Sequence, residues 1–267
     1  MSMLQGHLAG EVARRRFRHA LDVLIVLIDR DLKLLYKRSS LGIVWAIVNP
    51  LLQLFIFTFL FRRVIRLDID HYESYVFIGI LVWVWFQSSL VQSASLITGS
   101  RALVRQPGFP LYLLPYVTVG VRFFHFLMAF PLLIVLLWKQ DVRPAPAWCA
   151  IPLLILIQFI LTTGLAYPLA ALNVRIRDTQ HMVAVLLQMT MYMTPIFYSI
   201  STVPESLRIV YSINPMVPLL EAWRAVLMEG RWPDVTPLLL LAILACVCLW
   251  GGGKIFVSES YRFVEEL

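Results

Sequence analysis

Residues 148–172 read WCAIPLLILIQFILTTGLAYPLAAL and contain no ionised side chain. A helix needs roughly 20 consecutive apolar residues to cross the hydrocarbon core of a bilayer. The charge-free segment around this stretch, 144–174, is long enough to do so. A membrane-spanning β-strand would instead show about 10 residues of alternating polarity. The stretch therefore predicts a transmembrane α-helix.

Five further segments of the 267-residue chain have the same character. Four contain no Asp, Glu, Lys or Arg (39–61, 74–100, 179–204 and 235–253), and 106–138 contains only Arg122. With 60% apolar and 15% charged residues, the chain lacks the polar surface that a soluble domain of this size requires. We predict an all-α membrane protein with six transmembrane helices, at about 41–61, 75–98, 117–138, 148–172, 182–200 and 236–256.

The distribution of Lys and Arg predicts the orientation. An even number of spans places both termini on one side, and that side carries fourteen basic and eight acidic residues. The opposite loops carry eight of each. Because cytoplasmic loops are enriched in Lys and Arg, we expect both termini in the cytoplasm. The prediction is a multi-pass protein with a cytoplasmic N-terminus (1–40), a transmembrane domain (41–256) and a cytoplasmic tail (257–267).

Two segments outside the spans also show helical patterns. In 20–38 an apolar stripe faces a charged one, which is typical of an amphipathic helix at the membrane interface. The stripe comprises Leu21, Leu24, Ile28, Leu32 and Leu35, opposite Asp22, Asp29, Lys33 and Lys37.

In 201–235 the apolar run is too short to span and is interrupted by prolines. We predict two short outer re-entrant helices between spans five and six, the first starting at Pro204 and the second at Pro218, with Gly230 as the C-terminal stop. The second would present Leu219, Trp223 and Leu227 on one face.

Neutral polar and aromatic residues recur at helical spacing in three of the spans. The resulting pathway candidates are Trp45, Asn49, Gln53 and Phe57 in span one, Trp85, Ser88 and Gln92 in span two, and Gln188, Tyr192 and Pro195 in span five. Amides and hydroxyls are costly against lipid, so these stripes should face protein or water. Helix–helix packing is the alternative for any single residue, but three such stripes favour a shared pathway. Amides hydrogen-bond to sugar hydroxyls and aromatic faces stack on sugar C–H surfaces, so this combination also favours a sugar substrate.

Several catalytic and binding motifs are missing from the sequence. It contains no G-x-x-x-x-G-K-[ST] phosphate-binding loop, and its three cysteines form no zinc-type spacing. The charge-free spans offer no Asp, Glu or Lys for proton or sodium coupling. We therefore predict a non-enzymatic transport subunit with no metal or cofactor of its own, no nucleic-acid partner, and an energy source on another chain.

Two alternatives from other classes remain open. One is a membrane-embedded glycosyl- or acyltransferase: Asp68-Ile69-Asp70 has the D-x-D form of glycosyltransferases, but the spans lack the acid or His pair that such an enzyme needs. A passive channel or scaffold would need no ATPase at all.

Basic residues at the predicted membrane surface suggest contacts with anionic lipid or with a phosphorylated lipid substrate. The candidates are Arg30, Lys33, Lys37 and Arg38. Arg122 and His125 lie near the predicted cytoplasmic end of span three, where an arginine can snorkel to the headgroups, and a functional role is the alternative.

Several ordered segments resemble the membrane subunit of bacterial ABC-2 polysaccharide exporters, the permeases for O-antigen, capsule and teichoic acid. The strongest is RDLK at 30–33, followed by LYKRSSLG at 35–42 and WAIVNPL at 45–51. Further matches are 75–86, Arg177-Asp178 with His181, TPIFY at 194–198, and 214–224 from Asn-Pro-Met to Glu-Ala-Trp-Arg. The resemblance covers nearly the whole chain.

The resemblance implies a homodimer in the bacterial inner membrane, docked to two ATP-binding cassette subunits that hold ATP and Mg. It implies export of a lipid-linked polysaccharide; a drug or a small lipo-oligosaccharide is the alternative substrate within the same fold. The inner loop 99–110 would contact the ATPase through Arg101, Arg105 and Gln106. The channel of these exporters is lined largely from spans one, two and five, which carry the polar stripes.

Overall fold

The chain folds into a bundle of α-helices. The computed structural model describes residues 2–37, 44–64 and 69–266. Arg38 and Asp68, and the part of the quoted motif at 38–43, lie outside the described residues. Those three described ranges contain no β-strand, which confirms the all-α prediction.

The helices differ widely in length. In chain order they are α1 (Ser2–Tyr36), α2 (Trp45–Thr58), α3 (Tyr72–Ala94), α4 (Leu96–Gly99), α5 (Arg101–Val104), α6 (Leu113–Lys139), α7 (Ile151–Arg175), α8 (Thr179–Met193), α9 (Glu205–Ile213), α10 (Met216–Leu227), α11 (Val235–Glu259) and α12 (Phe263–Glu266). A π-helical turn, Phe59–Val64, continues α2, and a 3₁₀ turn, Pro146–Ala150, leads into α7.

Within the described ranges, five helices are long and apolar enough to cross a membrane. With their flanking turns they are Trp45–Arg62, Tyr72–Ala94, Leu113–Lys139, Pro146–Arg175 and Val235–Arg262. Each overlaps one of the predicted spans. The protein is therefore a multi-pass membrane protein.

The predicted span 182–200 is helical only in its first part. Its helix, α8, has 15 residues and ends at Met193, which gives it a length of about 22 Å against the roughly 30 Å of a hydrocarbon core. Thr194 is extended, with φ −90° and ψ 138°, because Pro195 disfavours the helical conformation in the residue before it. The predicted continuation of this helix to residue 200 is therefore wrong.

Helix α3 lies at the centre of the bundle. It packs against α2, α6, α7, α8 and α10. Of the residues in its most apolar 18-residue stretch, 72% are buried. A helix that is apolar on all sides is typical of such a position. Phe77, Trp83 and Trp85 are among its fully buried side chains. The polar residues of α3 are consequently held in a rigid frame.

Helices α7 and α11 cross at backbone contact distance. A Cβ on Gly164 would lie 2.5 Å from the backbone nitrogen of Leu249, and a Cβ on Gly252 would collide with the carbonyl oxygen of Gly164. Small residues at a crossing point allow this approach, which stabilises helix pairs in lipid through van der Waals contacts. Arg175 on α7 also pairs with Glu259 on α11, at 2.6 Å.

The N-terminal amphipathic helix is longer than predicted. It starts at Ser2 instead of residue 20 and ends at Tyr36. Part of the predicted apolar stripe packs on α6 around Val117 and Val121, and Gly120 provides the space that Ile28 fills. The helix therefore covers the start of α6 with its apolar face.

Two short helices follow α8, as predicted. The first, α9, begins directly after Pro204, but the second, α10, begins at Met216. The predicted start at Pro218 is therefore wrong by two residues; Pro218 lies in the first turn, where a missing N–H costs no helical hydrogen bond. Gly230 has a positive φ of 65°, in keeping with its predicted role as a stop. The predicted face of Leu219, Trp223 and Leu227 is fully buried.

Candidate functional site

Each of the three predicted polar stripes contributes a residue to one groove of about 630 Å³ between α2, α3 and α8. Its polar side chains are Gln53 from α2, Gln87 and Ser88 from α3, and Gln188 from α8. The remaining lining residues are Val84, Val91, Ala184, Val185 and Met189. No side chain in this lining is ionisable. The groove therefore offers neutral hydrogen-bonding groups on an aliphatic surface.

Two of the three amides in the groove, those of Gln87 and Gln188, belong to a chain of hydrogen bonds that links α3 to α8. The indole of Trp83 donates to Oε1 of Gln87 at 2.9 Å. Nε2 of Gln87 donates to Oε1 of Gln188 at 3.4 Å, and Nε2 of Gln188 donates to the hydroxyl of Tyr192 at 3.2 Å. The last two bonds are longer than the usual 2.9–3.0 Å, so a ligand hydroxyl could compete for these amides at low cost.

Gln53 contributes an acceptor to the same groove. Its Oε1 is buried and has no hydrogen-bond partner among the described residues. An unsatisfied buried acceptor costs roughly 1–3 kcal/mol. A hydroxyl donor entering the groove would satisfy it.

Aromatic rings cluster around Phe197, and two of them, Phe57 and Tyr192, lie one helical turn after the groove residues Gln53 and Gln188. Its ring centroid lies 4.0 Å from that of Phe57, 5.6 Å from that of Phe61 and 6.5 Å from that of Tyr192. Phe57 and Tyr192 were predicted from the stripes, whereas Phe197 was not. The TPIFY motif at 194–198 was the available signal for Phe197, but its backbone is not helical, so helical spacing could not place it.

The carbonyl groups of that non-helical segment are held by side chains from two helices. The carbonyl oxygen of Ile196 accepts from Arg224 at 3.1 Å, that of Phe197 from Tyr72 at 3.0 Å, and that of Tyr198 from Tyr75 at 2.9 Å. Irregular backbone at membrane depth is tolerated only where its polar groups are satisfied in this way. These contacts fix the position of Phe197.

The other pathway candidates lie outside this groove. Pro195 is buried, and Gln92 is exposed on α3. Trp85 is only 1% exposed, and its indole donates to the carbonyl oxygen of Val119 at 3.3 Å. Trp45, 45% exposed, lines a second cavity together with Asn49 and Trp85. Gln87, which directly precedes Ser88 in the sequence, was not among the predicted pathway residues but lines the groove.

The second cavity, of about 380 Å³, lies between α1, α2, α3 and α6. Val84 and Ser88 line both this cavity and the groove, so the two are adjacent. Its polar lining also includes Tyr36, Arg122 and His125. Burial raises the pKa of Tyr36 above its ordinary value of 10, and the nearby Arg122 offsets this only in part. The Tyr36 hydroxyl is therefore protonated at neutral pH.

The predicted ATPase-contact residues lie in or directly after the short helix α5, in the segment between α3 and α6. Arg101, Arg105 and Gln106 are all exposed, while two apolar neighbours in this segment, Ile97 on α4 and Val104 on α5, are buried against the ends of α7 and α11. The segment is thus anchored by its apolar side chains and presents its polar ones outward.

The predicted lipid-phosphate contacts are partly engaged with acids of α1. Arg30 lies 2.7 Å from Asp31, and Lys33 lies 2.6 Å from Asp29. Lys37 is exposed, and Arg38 is outside the described residues. In the described part of the chain, no group of three His, Cys, Asp or Glu side chains could hold a metal ion.

Comparison with known proteins supplies independent information. The family model described as ABC-2 type transporter matches residues 22–228. The chain is 37% identical over 247 residues to the O-antigen export system permease protein RfbA of Myxococcus xanthus, covering 92% of this chain and 95% of that protein. Two RfbA permease proteins of Klebsiella pneumoniae are each 31% identical, over 249 and 247 residues, with the same two coverages.

Proposed function

The chain belongs to the ABC-2 type transporter family, and from that premise we propose that it is the permease subunit of an ATP-driven exporter of lipid-linked polysaccharide. Its relatives are named as permeases of an O-antigen export system. The observation that carries the proposal for this chain is the neutral groove between α2, α3 and α8.

The groove has the chemistry that a sliding glycan requires. Sugar hydroxyls exchange hydrogen bonds with amides such as those of Gln53, Gln87 and Gln188, and sugar C–H faces pack on rings such as Phe57 and Tyr192. None of these contacts is ionic, so each is weak. Transport needs binding that also releases, and many weak contacts meet that need better than one strong one.

In this proposal, separate ATPase subunits supply the energy, and a second copy of the chain completes the channel. The sequence has no phosphate-binding loop, so ATP and Mg would bind to two separate ATP-binding cassette subunits. A second copy of the chain would complete the channel, since the groove of one copy is open on one side. The protein would lie in the bacterial inner membrane with both termini in the cytoplasm, which cysteine labelling of intact cells can test.

Helix α2 is the element best placed to move. Only 11% of the 18 residues Trp45–Arg62 are buried, whereas 72% of the most apolar 18 residues of α3 are buried. Closure of the ATPase subunits would push on the loop 99–110 and on α1, and would shift α2 relative to α8. The groove lies between these two helices and would widen as a result.

The test is export by the complete complex carrying groove variants. Gln53→Leu and Gln188→Leu each remove an amide without introducing charge, and each should reduce glycan export at least several-fold while the protein remains in the membrane. Cys246→Leu, on the exposed face of α11, is the matched control for added apolar volume. Normal export by both groove variants would refute the role of the groove.

Partner and substrate are tested separately. A mild-detergent pull-down should recover an ATP-binding subunit in equal stoichiometry with this chain. In reconstituted vesicles, ATP should drive accumulation of a lipid-linked polysaccharide. Transport of a drug or a short lipo-oligosaccharide in place of the polymer would support the alternative substrate class, and flux without ATP would overturn the proposal.

A further inference from the structure

The second cavity is lined by a positively charged side chain, that of Arg122, which is not part of the groove. Arg122 lies on α6 nine residues after its start, about 14 Å along the helix axis. None of the ion pairs in the described ranges involves it, and the segment 38–43, between α1 and the first span in the sequence, contains no acidic residue. A partly buried arginine within a helix long enough to cross a membrane is costly and usually has a partner or a function.

Three hydrogen-bond donors with no partner among the described residues line this cavity. They are Nε of Arg122, Nε2 of His125 and the hydroxyl of Tyr36, and all three atoms are buried. Nη1 of Arg122 lies 3.5 Å from Nδ1 of His125. Because arginine can only donate, Nδ1 acts as the acceptor and Nε2 then carries the hydrogen. The Tyr36 and His125 rings are in edge contact, with centroids 5.8 Å apart.

These donors match an anion with several acceptor oxygens. One positive charge and three donors fit a phosphoryl group, since charge-assisted hydrogen bonds from arginine to phosphate are among the strongest in proteins. The rest of the cavity, including Leu35, Leu81 and Ala129, is largely apolar and suits a lipid chain. On α1, by contrast, Arg30 and Lys33 already have carboxylate partners.

We propose that Arg122, His125 and Tyr36 form a binding site for the phosphoryl group of the lipid carrier to which the exported glycan is attached. This inference rests on the proposed function, because it assumes a lipid-linked substrate. Because Ser88 lines both the cavity and the groove, a carrier whose phosphoryl group binds here would have its first sugars next to the groove. Helix α1 contributes Tyr36, so its position determines whether the site is complete.

The test measures binding to the permease–ATPase complex in nanodiscs of neutral phosphatidylcholine. The probe is a fluorescent polyprenyl pyrophosphate, with the uncharged polyprenol as reference. Arg122→Gln should weaken binding of the pyrophosphate about 10-fold to 100-fold, the effect of losing a hydrogen bond to a charged group, and should leave polyprenol unchanged. Arg122→Lys should restore most of the affinity, and Tyr36→Phe should weaken it about threefold to tenfold.

The control is Arg143→Gln, which removes an exposed arginine in the loop after α6 and should leave the affinity unchanged. Equal binding by wild type and Arg122→Gln would overturn the site. Competition by phosphatidylglycerol as strong as that by unlabelled polyprenyl pyrophosphate would assign the site to a bilayer headgroup and overturn the carrier assignment, as would equal competition by inorganic pyrophosphate.

Export by the same complexes separates this inference from the proposed function. Wild-type export of the glycan together with unchanged binding by Arg122→Gln would overturn the phosphoryl site and leave the proposed function intact. Failure of the wild-type complex to export any glycan would overturn the proposed function, whatever the binding data show.

Discussion

Replacing Arg224 with methionine removes the most deeply buried charge in the described part of the chain. The side chain is 2% exposed; it donates to the carbonyl of Ile196 and to Glu221, each at 3.1 Å, and lies 3.5 Å from the Tyr75 ring centroid. A hydrogen bond from a charged donor contributes about 1.5–3 kcal/mol, and a desolvated cation–π contact about 2 kcal/mol. Methionine fills part of the volume and relieves the buried charge, so the net loss should be about 3 kcal/mol.

Two variants separate the contributions. Arg224→Lys keeps the charge but loses the two-armed geometry, and should cost about 2 kcal/mol. Glu221→Gln removes only the carboxylate partner of Arg224. Because Glu221 is 39% exposed, this change should cost less than about 1 kcal/mol. Arg231→Met, at an arginine paired on the surface with Glu229, is the matched control and should also cost less than about 1 kcal/mol.

Thermal unfolding of the purified protein in one detergent, at one scan rate, measures the order of the series. About 3 kcal/mol corresponds to a Tm decrease of roughly 6–12 °C for a chain of this size. The Tm should fall most for Arg224→Met, less for Arg224→Lys and least for the other two. A Tm of Arg224→Met within 2 °C of wild type would show that Arg224 does not hold the 194–199 segment to α3.

Three further outcomes are expected. Gly164→Val should cost about 3 kcal/mol or more in thermal unfolding, whereas Gly253→Val, whose added Cβ meets nothing within 4 Å, should not; equal Tm values would contradict the close crossing. Phe197→Ala should cost about 3–5 kcal/mol in the same assay, because its ring is 1% exposed and packs on two rings of the first span; a loss below 1 kcal/mol would argue against that cluster. Arg101→Glu with Arg105→Glu should leave stability within about 0.5 kcal/mol and lower transport-coupled ATP hydrolysis several-fold; full coupling in this double variant would remove the loop from the ATPase interface.

The elements that could be predicted from the sequence are those that depend on local pattern. Long charge-free segments predict helices because lipid leaves the backbone no other way to satisfy its polar groups. The short helices α9 and α10 were predicted from prolines and run length, although the start of α10 was misplaced by two residues. The end of α8 was also signalled by Thr194-Pro195, but apolar composition continues past it and favoured a longer helix.

The burial of individual side chains could not be predicted in the same way. In lipid, apolar residues are equally suited to the bilayer and to a neighbouring helix, so helical spacing does not distinguish the buried Trp85 from the exposed Trp45. The partners of Phe197 and Arg122 were also hidden. Phe197 follows a break in helical geometry, and Arg122 lines the same cavity as Tyr36, which lies far from it in the sequence and belongs to another element.

The glycine crossing of α7 and α11 restricts how this protein can change shape. Two helices in backbone contact at Gly164 and Gly252 cannot rotate or slide past each other without a collision, and the pairing of Arg175 with Glu259 joins their ends. A lateral opening between them would break this contact. In the proposed transport cycle the opening would instead form across the bundle, beside α2, with α3 as the boundary between a static half and a mobile half of the chain.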